Sequence, residues 1–463
     1  MEYSAFEKVP KSAQTFSFWD QFVFWFSSAS LPAAWYYGAL IAGWQGIIGA
    51  LLLIFIVNTL SFIPWAYLGE IAGKTGGSSM AIVRPAFGIK GSIVPSIFYL
   101  VMGFGWAAVN VFLGAIALSF IFKLWLGWPS YMDVNKLWYM VLYIFVVCLI
   151  QGWAAVAGHV WIKRLQWLAT IFFFLLGFYQ TYIVLIHWQV GSLLLWKPDK
   201  VLTASIGPFT YAITLALLID LLIAYNWTWE FIGDFSRFSK TNKASTWGPF
   251  WGANLAQYWW FMVGALAVVY LSLTTGSYSP LLADPSSTTV SLGFGWLAAL
   301  VILFATVTTN AANLYASALG LSNILRKSRI KFNSLLIFSA IFAAFLSLTP
   351  LFSRDFVGFY ILFLDIAGAI VIPLWTLTLV DYFIVKKRKY TDDLFKKEKG
   401  LYWYSKGWNI KAVVTLISGT VFYWILGYVL PTVRQTVTAA LPTIVYVSVI
   451  YLLWMRKKEV KSS

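Results

Sequence analysis

Apolar residues fill long runs that recur along the whole chain, separated by short polar segments. Runs of about 20 residues are long enough to cross a hydrocarbon core of about 30 Å as helices. The pattern predicts about twelve spans, and the longest polar connection, roughly residues 384–409, is predicted to be only a basic loop. We therefore expect an all-α integral membrane protein that forms a single transmembrane domain over residues 1–463.

Two of the predicted spans are interrupted near their middle. In span 1, Pro32 lacks a backbone donor and disfavours helix at the preceding residue. In span 6, residues 225–230 are polar and bulky where apolar residues would be expected. Breaks five spans apart are typical of inverted repeats with sites at discontinuous helices. We expect repeats over about 19–200 and 205–390, and two extra helices over about 410–456.

Span 8 carries Thr308, Thr309, Asn310 and Asn313 in the middle of an apolar run. Unpaired polar groups cost several kcal/mol each inside a bilayer, so these side chains must face other helices or a wet cavity. Hydroxyl oxygens suit a small hard cation, and amides suit a small polar solute. The segment therefore predicts part of a transport site. Hydrogen bonding between helices, or from each threonine to its own helix, is the alternative.

Composition agrees with a membrane protein, because 11% of the residues are charged, against about 25% in soluble domains. The net charge of +16 does not indicate nucleic-acid binding, since Lys and Arg concentrate on alternate connections. By the positive-inside rule, both termini lie in the cytoplasm and the protein spans the cell membrane. The basic run 386–389 is expected to contact anionic lipid headgroups. The Lys and Arg residues that fall on the outer side are Lys123, Lys136, Lys197, Lys200, Arg354 and Arg434.

The sequence argues against an enzyme. The single cysteine, Cys148, excludes an intrachain disulfide, and His159 and His187 lie far apart. No nucleophile context and no glycine-rich phosphate loop is present, so energy must come from an ion gradient. A membrane enzyme acting on lipid would need clustered carboxylates or histidines. A channel would need polar residues along a continuous path, whereas here they cluster at one depth.

Four acidic residues are predicted near membrane depth, where ionisable groups are costly and usually functional. Asp220 and Asp365 are the most buried by sequence. Coupling to protons instead of sodium would require such a titratable group. The alternative is an interhelical pair with a tyrosine or tryptophan donor. The four residues are Asp20, Asp220, Glu230 and Asp365.

Four motifs follow each other along the chain. They are residues 69–76 with 84–92 between spans 2 and 3, 234–238 after span 6, 308–315 in span 8, and 373–375 with 381–383 at span 10. Together they resemble the nucleobase–cation symporters, the family of cytosine, purine, allantoin and hydantoin permeases. The span 8 motif is most similar to the cytosine-permease branch. The resemblance covers most of residues 15–390.

The resemblance implies a LeuT-like fold of two inverted five-helix repeats plus two C-terminal helices, working by alternating access. It also implies a co-transported sodium ion held by carbonyls at the span 1 break and by oxygens of span 8. Carried over residue by residue, the sodium ligands are Ala29, Pro32, Ala305, Thr308 and Thr309.

The resemblance further implies that the substrate ring is stacked between aromatic residues of spans 3 and 6. Trp106 matches the span 3 aromatic residue, although packing is its alternative role. The span 6 aromatic residue falls at Tyr225, where many members have tryptophan, with Trp227 and Trp229 as alternatives. Amides match a base edge because they both donate and accept. The implied substrate-binding residues are Trp106, Asn110, Tyr225, Trp227, Asn310 and Asn313.

Asp234 and Arg237 are three residues apart at the predicted cytoplasmic end of span 6. They would form either a solvated ion pair or a network that closes the inner gate. A gating or structural role is favoured over substrate contact.

The sequence thus predicts a monomeric symporter that imports a nucleobase, cytosine or a purine, with sodium. Its partners are the substrate, the coupling ion and the lipid bilayer, and no nucleic acid. The alternative is the same fold transporting allantoin, a hydantoin, uracil or a vitamin ring, or using protons.

Overall fold

A computed structural model describes residues 7–156, 159–187, 189–198, 203–206, 209–325, 330–353 and 355–456. Within these residues, ten helical stretches are long and apolar enough to cross a membrane, which confirms the all-α membrane fold. The first stretch, Pro32–Thr75, is divided at Gly46, whose backbone has φ 73° and ψ 176°. This division and the shorter apolar helix Ala440–Met455 are compatible with twelve spans, although that number stays a prediction.

The described helices up to residue 195 include the first predicted break. Leu31 is extended between two helices, and Pro32 occupies the first helical position of the second, where its missing N–H costs nothing. Ser30 satisfies a freed carbonyl by donating from its hydroxyl to Phe26 O at 2.7 Å. The helices are α1 (Phe18–Ala29), α2 (Pro32–Leu51), α3 (Asn58–Thr75), α4 (Ser79–Ile82), α5 (Arg84–Phe87), α6 (Ile93–Leu126), α7 (Tyr139–Val156), α8 (His159–His187) and α9 (Val190–Leu195).

A short antiparallel hairpin, β1 (Thr203–Ile206) and β2 (Phe209–Ala212), connects the two halves. The second predicted break is also present, because helix stops at Trp227 and resumes at Ile232. The helices after the hairpin are α10 (Leu215–Trp227), α11 (Ile232–Ser236), α12 (Asn242–Thr275), α13 (Pro285–Ser291), α14 (Gly295–Ile324), α15 (Phe332–Ser347), α16 (Thr349–Ser353), α17 (Phe356–Val380), α18 (Ile410–Trp424), α19 (Pro431–Thr436) and α20 (Ala440–Arg456).

Short non-α turns extend or join several of these helices. The π-helical turns are Leu52–Val57, Asp381–Val385 and Ile425–Val429, and the 3₁₀ turns are Lys11–Ala13, Val134–Lys136, Pro280–Ala283 and Asp392–Phe395. The repeat boundaries predicted near residues 200, 390 and 410 fall in connections between helices, while the inverted repeat itself stays a prediction.

Helices α6 and α14 lie side by side through the centre of the molecule. Gly103 on α6 permits their close approach, since a Cβ there would stand 2.5 Å from the hydroxyl of Ser317 on α14. Small residues at helix interfaces in membranes have this role. One turn further, Ala107 of α6 is hydrogen bonded to Asn310 of α14 at 3.1 Å. This register places Asn313 opposite the turn of α6 that carries Trp106.

The connection between α17 and α18 is an ordered cap rather than only a basic loop. Asn409 donates from Nδ2 to Ala86 O at 2.7 Å, and Arg84 donates to Leu394 O at 2.9 Å. Two residues of the basic run already have partners within the protein. Lys386 lies over the ring of Tyr404, and Arg388 lies over that of Phe383. Lys200 and Arg354, assigned to the outer side by sequence, lie outside the described residues.

Candidate functional site

The indole of Trp106 joins three helices at the middle of the bundle. Its Nε1 donates to the hydroxyl of Thr228 at 2.9 Å, in the break between α10 and α11. Its ring lies 5.3 Å from the ring of Tyr225 on α10 and 5.3 Å from that of Phe363 on α17, nearly perpendicular to both. Trp106 therefore marks the point where α6, the break and α17 meet.

Of the three aromatic candidates in span 6, Tyr225 is the one whose ring contacts Trp106. Trp227 instead donates from its indole to Ser61 O at 2.8 Å, towards α3. Trp229 lies against Trp25 of α1, with ring centres 6.0 Å apart. Trp227 is therefore directed towards α3 and Trp229 towards α1, whereas Tyr225 faces α6.

Several buried polar atoms around this contact have no hydrogen-bond partner among the described residues. They are the hydroxyls of Tyr225 and Tyr360 and Oδ1 of Asn110. The ring of Tyr360 lies 6.3 Å from Trp106, and Asn110 donates from Nδ2 to the carbonyl of Trp106 at 2.9 Å. An unsatisfied buried polar group costs about 1–3 kcal/mol. Three of them around one indole make this a candidate place for a ligand that would supply hydrogen bonds.

The amide of Asn310 is occupied between helices. Its Nδ2 donates to Ala107 O of α6 at 3.1 Å and to Oε1 of Gln151 of α7 at 2.7 Å. Both donors are therefore used, which is the interhelical alternative considered from the sequence. Asn313 is half-buried and donates to Oδ1 of Asn310 at 3.3 Å, so it has further hydrogen-bonding capacity. In this arrangement Asn313, not Asn310, is available to a ligand.

Gln151 and Tyr360 were not identified from the sequence. Gln151 is fully buried in α7, and its Nε2 has no partner among the described residues. A glutamine in the otherwise apolar run of Tyr139–Val156 was the signal that could have found it. Tyr360 gave no comparable signal, because the chain contains 25 tyrosines and most follow no local pattern.

The predicted sodium ligands lie on three helices. Ala29 and Pro32 flank the break between α1 and α2, and Ala305, Thr308 and Thr309 lie on α14. Thr308 donates to Phe304 O at 3.1 Å and to Ala305 O at 3.0 Å, both on its own helix. A hydroxyl that donates in this way keeps its lone pairs for a cation.

Thr309 is half-buried on the neighbouring face of α14. Among the described residues, no group of three or more His, Cys, Asp or Glu residues could hold a metal ion. The five predicted ligands would offer hydroxyl and carbonyl oxygens, which are hard donors suited to a small hard cation.

Asp234 and Arg237 do not form the solvated pair considered from the sequence, because the Arg237 side chain is almost completely buried. Its Nε donates to the backbone carbonyl of Asp234 at 3.3 Å, and the Asp234 carboxylate accepts from the Tyr99 hydroxyl at 3.2 Å. Gln14 donates to the carbonyls of Arg237 and Gly73, at 2.9 and 3.0 Å. The network joins the N-terminal segment, α3, α6 and α11 at one end of the bundle.

Asp220 and Asp365 are both paired between helices, and of the two it is Asp365 that has the tyrosine donor considered as the alternative to a proton site. Asp220 accepts from Arg434 and from the backbone N–H groups of Ala439 and Ala440, at 3.2, 2.7 and 2.8 Å. Asp365 accepts from Arg434 and from the hydroxyl of Tyr428. The arginine was not anticipated as their partner. Of the two other acids, Asp20 forms a capping box with Ser17 at the start of α1, and Glu230 is buried in the break between α10 and α11.

Comparison with known proteins shows which family this chain is similar to. The sequence profile of a family described as permeases for cytosine/purines, uracil, thiamine and allantoin matches residues 8–454. The allantoin permease of Bacillus subtilis is 26% identical over 83% of this chain and 78% of its own. The purine-uracil permease NCS1 of Arabidopsis thaliana is 25% identical over 89% of this chain and 69% of its own.

Two solved structures have the same fold along nearly the whole chain. Mhp1 in an inward facing conformation aligns with a TM-score of 0.79 and 20% identity, covering 100% of this chain and 96% of the other. Mhp1, a nucleobase-cation-symport-1 family transporter, in a closed conformation with bromovinylhydantoin bound, aligns with a TM-score of 0.74 and 18% identity. It covers 98% of this chain and 96% of the other.

Proposed function

The chain belongs to the family of permeases for cytosine/purines, uracil, thiamine and allantoin, and from that premise we propose that it imports a nucleobase, cytosine or a purine, together with sodium. The family consists of transporters and not enzymes, so the chain is a permease that works by alternating access. We further propose that it functions as a monomer in the cell membrane with both termini in the cytoplasm.

The observation that carries the substrate class is the contact between Trp106 and Tyr225 with unsatisfied polar atoms around it. Stacking of a base on an aromatic side chain is worth about 1–3 kcal/mol and tolerates many bases. Hydroxyl and amide oxygens beside the ring then select the donors of the base edge. A planar heterocycle that stacks on one of the two rings and presents its edge to these oxygens would satisfy both requirements.

In this proposal the substrate ring stacks on the face of Trp106 or of Tyr225, and the other residue contacts its edge, because the planes of the two side chains are nearly perpendicular. Asn110, Tyr360 and Asn313 contact its edge, while Gln151 and Ala107 orient Asn310 and thereby Asn313. Asp234 and Arg237 help to close the inner side.

The sodium part of the proposal is supported by the hydroxyls of Thr308 and Thr309 and by the break between α1 and α2. One charge moving down 100 mV supplies about 2.3 kcal/mol, which is enough for roughly 50-fold accumulation. No carboxylate is required at such a site, because hydroxyl and carbonyl oxygens are hard ligands.

Allantoin is a second candidate substrate, favoured by the allantoin permease to which this chain is 26% identical. Its hydantoin ring and its amide groups present donors and acceptors of the same kind as a base edge. The two substrates differ in the stacking that they allow, since allantoin lacks an aromatic ring.

Uptake of radiolabelled cytosine into proteoliposomes, with and without an inward sodium gradient at constant pH, tests the proposal. We expect uptake that rises with sodium and is competed by unlabelled purines. Uptake of radiolabelled allantoin that is not competed by unlabelled cytosine would assign the second candidate. No uptake of cytosine, purines or allantoin under either sodium or pH gradients would contradict the transport function proposed for this site.

A further inference from the structure

Glu230 lies in the break between α10 and α11, inside a predicted membrane span. Its side chain is 4% exposed, and Oε2 has no hydrogen-bond partner among the described residues. No lysine or arginine in the described part of the chain forms an ion pair with it. A carboxylate that is buried without a partner is strongly disfavoured unless it is neutral or meets a cation.

The position of Glu230 is defined by two contacts between α6 and the residues around the break. Two residues before it, Thr228 accepts from Trp106, and four residues after it, Asp234 accepts from Tyr99. Trp106 and Tyr99 are about two helical turns apart on α6. Glu230 therefore lies on the predicted cytoplasmic side of the candidate substrate site, where α6 and α11 must separate before a substrate can leave inward.

The groups that face Glu230 do not supply a positive charge. Electrostatic interactions link it to Tyr99 of α6 and to Asp234 of α11. Arg237 interacts with Asp234 and with Tyr99 rather than with Glu230. Asp234 also accepts hydrogen bonds from Ser79 of α4. On the second carboxylate, Oε2 of Glu230 has no hydrogen-bond partner among the described residues.

We propose that Glu230 is a proton-binding site. It holds a proton while α6 and α11 are in contact, and it releases the proton when these helices separate towards the cytoplasm. This inference rests on the proposed transport function. On release, the O–H bond of the carboxylic acid breaks, the proton passes to cytoplasmic water and the carboxylate becomes hydrated. Because the proton binds the closed state more tightly, cytoplasmic acid stabilises that state and slows substrate release.

Uptake into right-side-out membrane vesicles, under a fixed sodium gradient and with the lumen buffered at pH 6 or pH 8, tests the inference. We expect wild-type uptake to be about fivefold slower or more at the lower pH. The Glu230→Gln variant should have the same uptake rate at pH 6 and at pH 8, because its side chain cannot bind or release the proton. In the Glu230→Asp variant the uptake rate should still depend on lumenal pH, but the pH at which the rate is half-maximal should differ from that of wild type. The matched control is Asp392→Asn, at an exposed acid paired with Lys8, which should behave like wild type.

A second measurement does not depend on transport. The infrared spectrum of purified wild-type protein at neutral pH should contain the C=O band of a protonated carboxylic acid that is missing in Glu230→Gln. The inference would be overturned if that difference band were absent. It would also be overturned if the ratio of the uptake rates at pH 6 and pH 8 were the same in Glu230→Gln as in wild type. If Glu230→Gln does not fold, an unchanged pH midpoint in Glu230→Asp has the same consequence.

The two proposals fail in different ways. Wild-type protein that transports no cytosine, purine or allantoin, yet has the difference band, contradicts the proposed function and supports the proton site. Wild-type protein that transports a substrate at a rate independent of lumenal pH contradicts the proton site alone.

Discussion

Arg434 donates from Nε to Oδ2 of Asp220 across 3.2 Å, and both side chains are fully buried. The same guanidinium forms a second ion pair with Asp365. Asp220 belongs to α10, which carries Tyr225, and Asp365 belongs to α17, which carries Tyr360. A single arginine between α18 and α20 thus holds together two helices that contribute aromatic residues to the candidate site.

Replacing Arg434 by methionine should destabilise the protein strongly. The substitution leaves two carboxylates buried without their cation, which typically costs about 3–5 kcal/mol. The triple variant Asp220→Asn, Asp365→Asn, Arg434→Met should recover most of the loss, because it removes all the buried charges together. Thermal unfolding in detergent measures both effects.

The control for this prediction is Lys123→Met. Lys123 pairs with Asp133 at 2.9 Å, but both side chains are well exposed, so the pair is worth about 0–1 kcal/mol. If Arg434→Met unfolded at the same temperature as Lys123→Met, the buried cluster would not be a stabilising feature.

The local features of the fold could be predicted from the sequence. Pro32 and the polar residues 225–230 both mark real helix breaks, because a missing backbone donor or a run of polar side chains acts on the nearest turn. A contact between Trp106 and Tyr225 could be predicted because the family resemblance places both at the substrate site. In this protein the helices that carry them, α6 and α10, do meet at these two rings.

Contacts made across large sequence separations could not be predicted. Arg434 was assigned to the outer surface because a charged residue between two spans usually lies in water, yet its partners are 214 and 69 residues away. Asn310 was expected to contact substrate, and only the positions of Ala107 and Gln151 show that its donors are occupied. No local pattern in one chain reveals which residues face each other across a bundle.

Tyr225→Phe should weaken substrate binding and not the fold. The hydroxyl has no hydrogen-bond partner among the described residues, so its removal leaves no new unsatisfied group. A lost hydrogen bond to substrate of about 0.5–1.5 kcal/mol corresponds to a rise in KM of roughly two- to tenfold. Uptake kinetics measure the expected rise in KM, and thermal unfolding measures whether the stability of the fold is unchanged.

The comparison variant for Tyr225→Phe is Tyr37→Phe. The Tyr37 ring stacks on that of Tyr225, but its hydroxyl donates to Leu218 O at 3.2 Å. We expect this variant to lose stability with little change in KM. The same KM for Tyr225→Phe and wild type would remove the hydroxyl from the proposed substrate site.

Thr309→Ala should raise the sodium concentration that gives half-maximal uptake, by about tenfold if the hydroxyl is worth about 1.4 kcal/mol to the bound ion. The control is Thr306→Ala on the same helix, whose hydroxyl donates to Ile302 O at 2.7 Å and is not among the predicted ligands. Sodium titrations of uptake at saturating substrate measure the constant. Equal sodium dependence in Thr309→Ala, Thr306→Ala and wild type would contradict the site.

Asp284 provides a test of pH-dependent stability outside the membrane spans. It caps α13 by accepting from the backbone N–H of Ser287 at 2.8 Å, but Oδ2 has no partner among the described residues. The side chain is 2% exposed. Burial raises the pKa of Asp284 to about 7, although hydrogen bonds from Ser287 and Ser286 act in the opposite direction.

Because the pKa of Asp284 is about 7 in the folded state and about 3.9 when unfolded, the folded state binds more protons between these values. Its stability contribution is therefore complete below about pH 4, falls as the pH rises to about 7, and then stays constant. The loss is at most about 4 kcal/mol. Asp284→Asn keeps the cap without the charge, so it should unfold at a higher temperature than wild type at pH 8, with a smaller difference at pH 5. If the difference between Asp284→Asn and wild type did not change with pH, the Asp284 carboxylate would not titrate between the folded and unfolded states in this range.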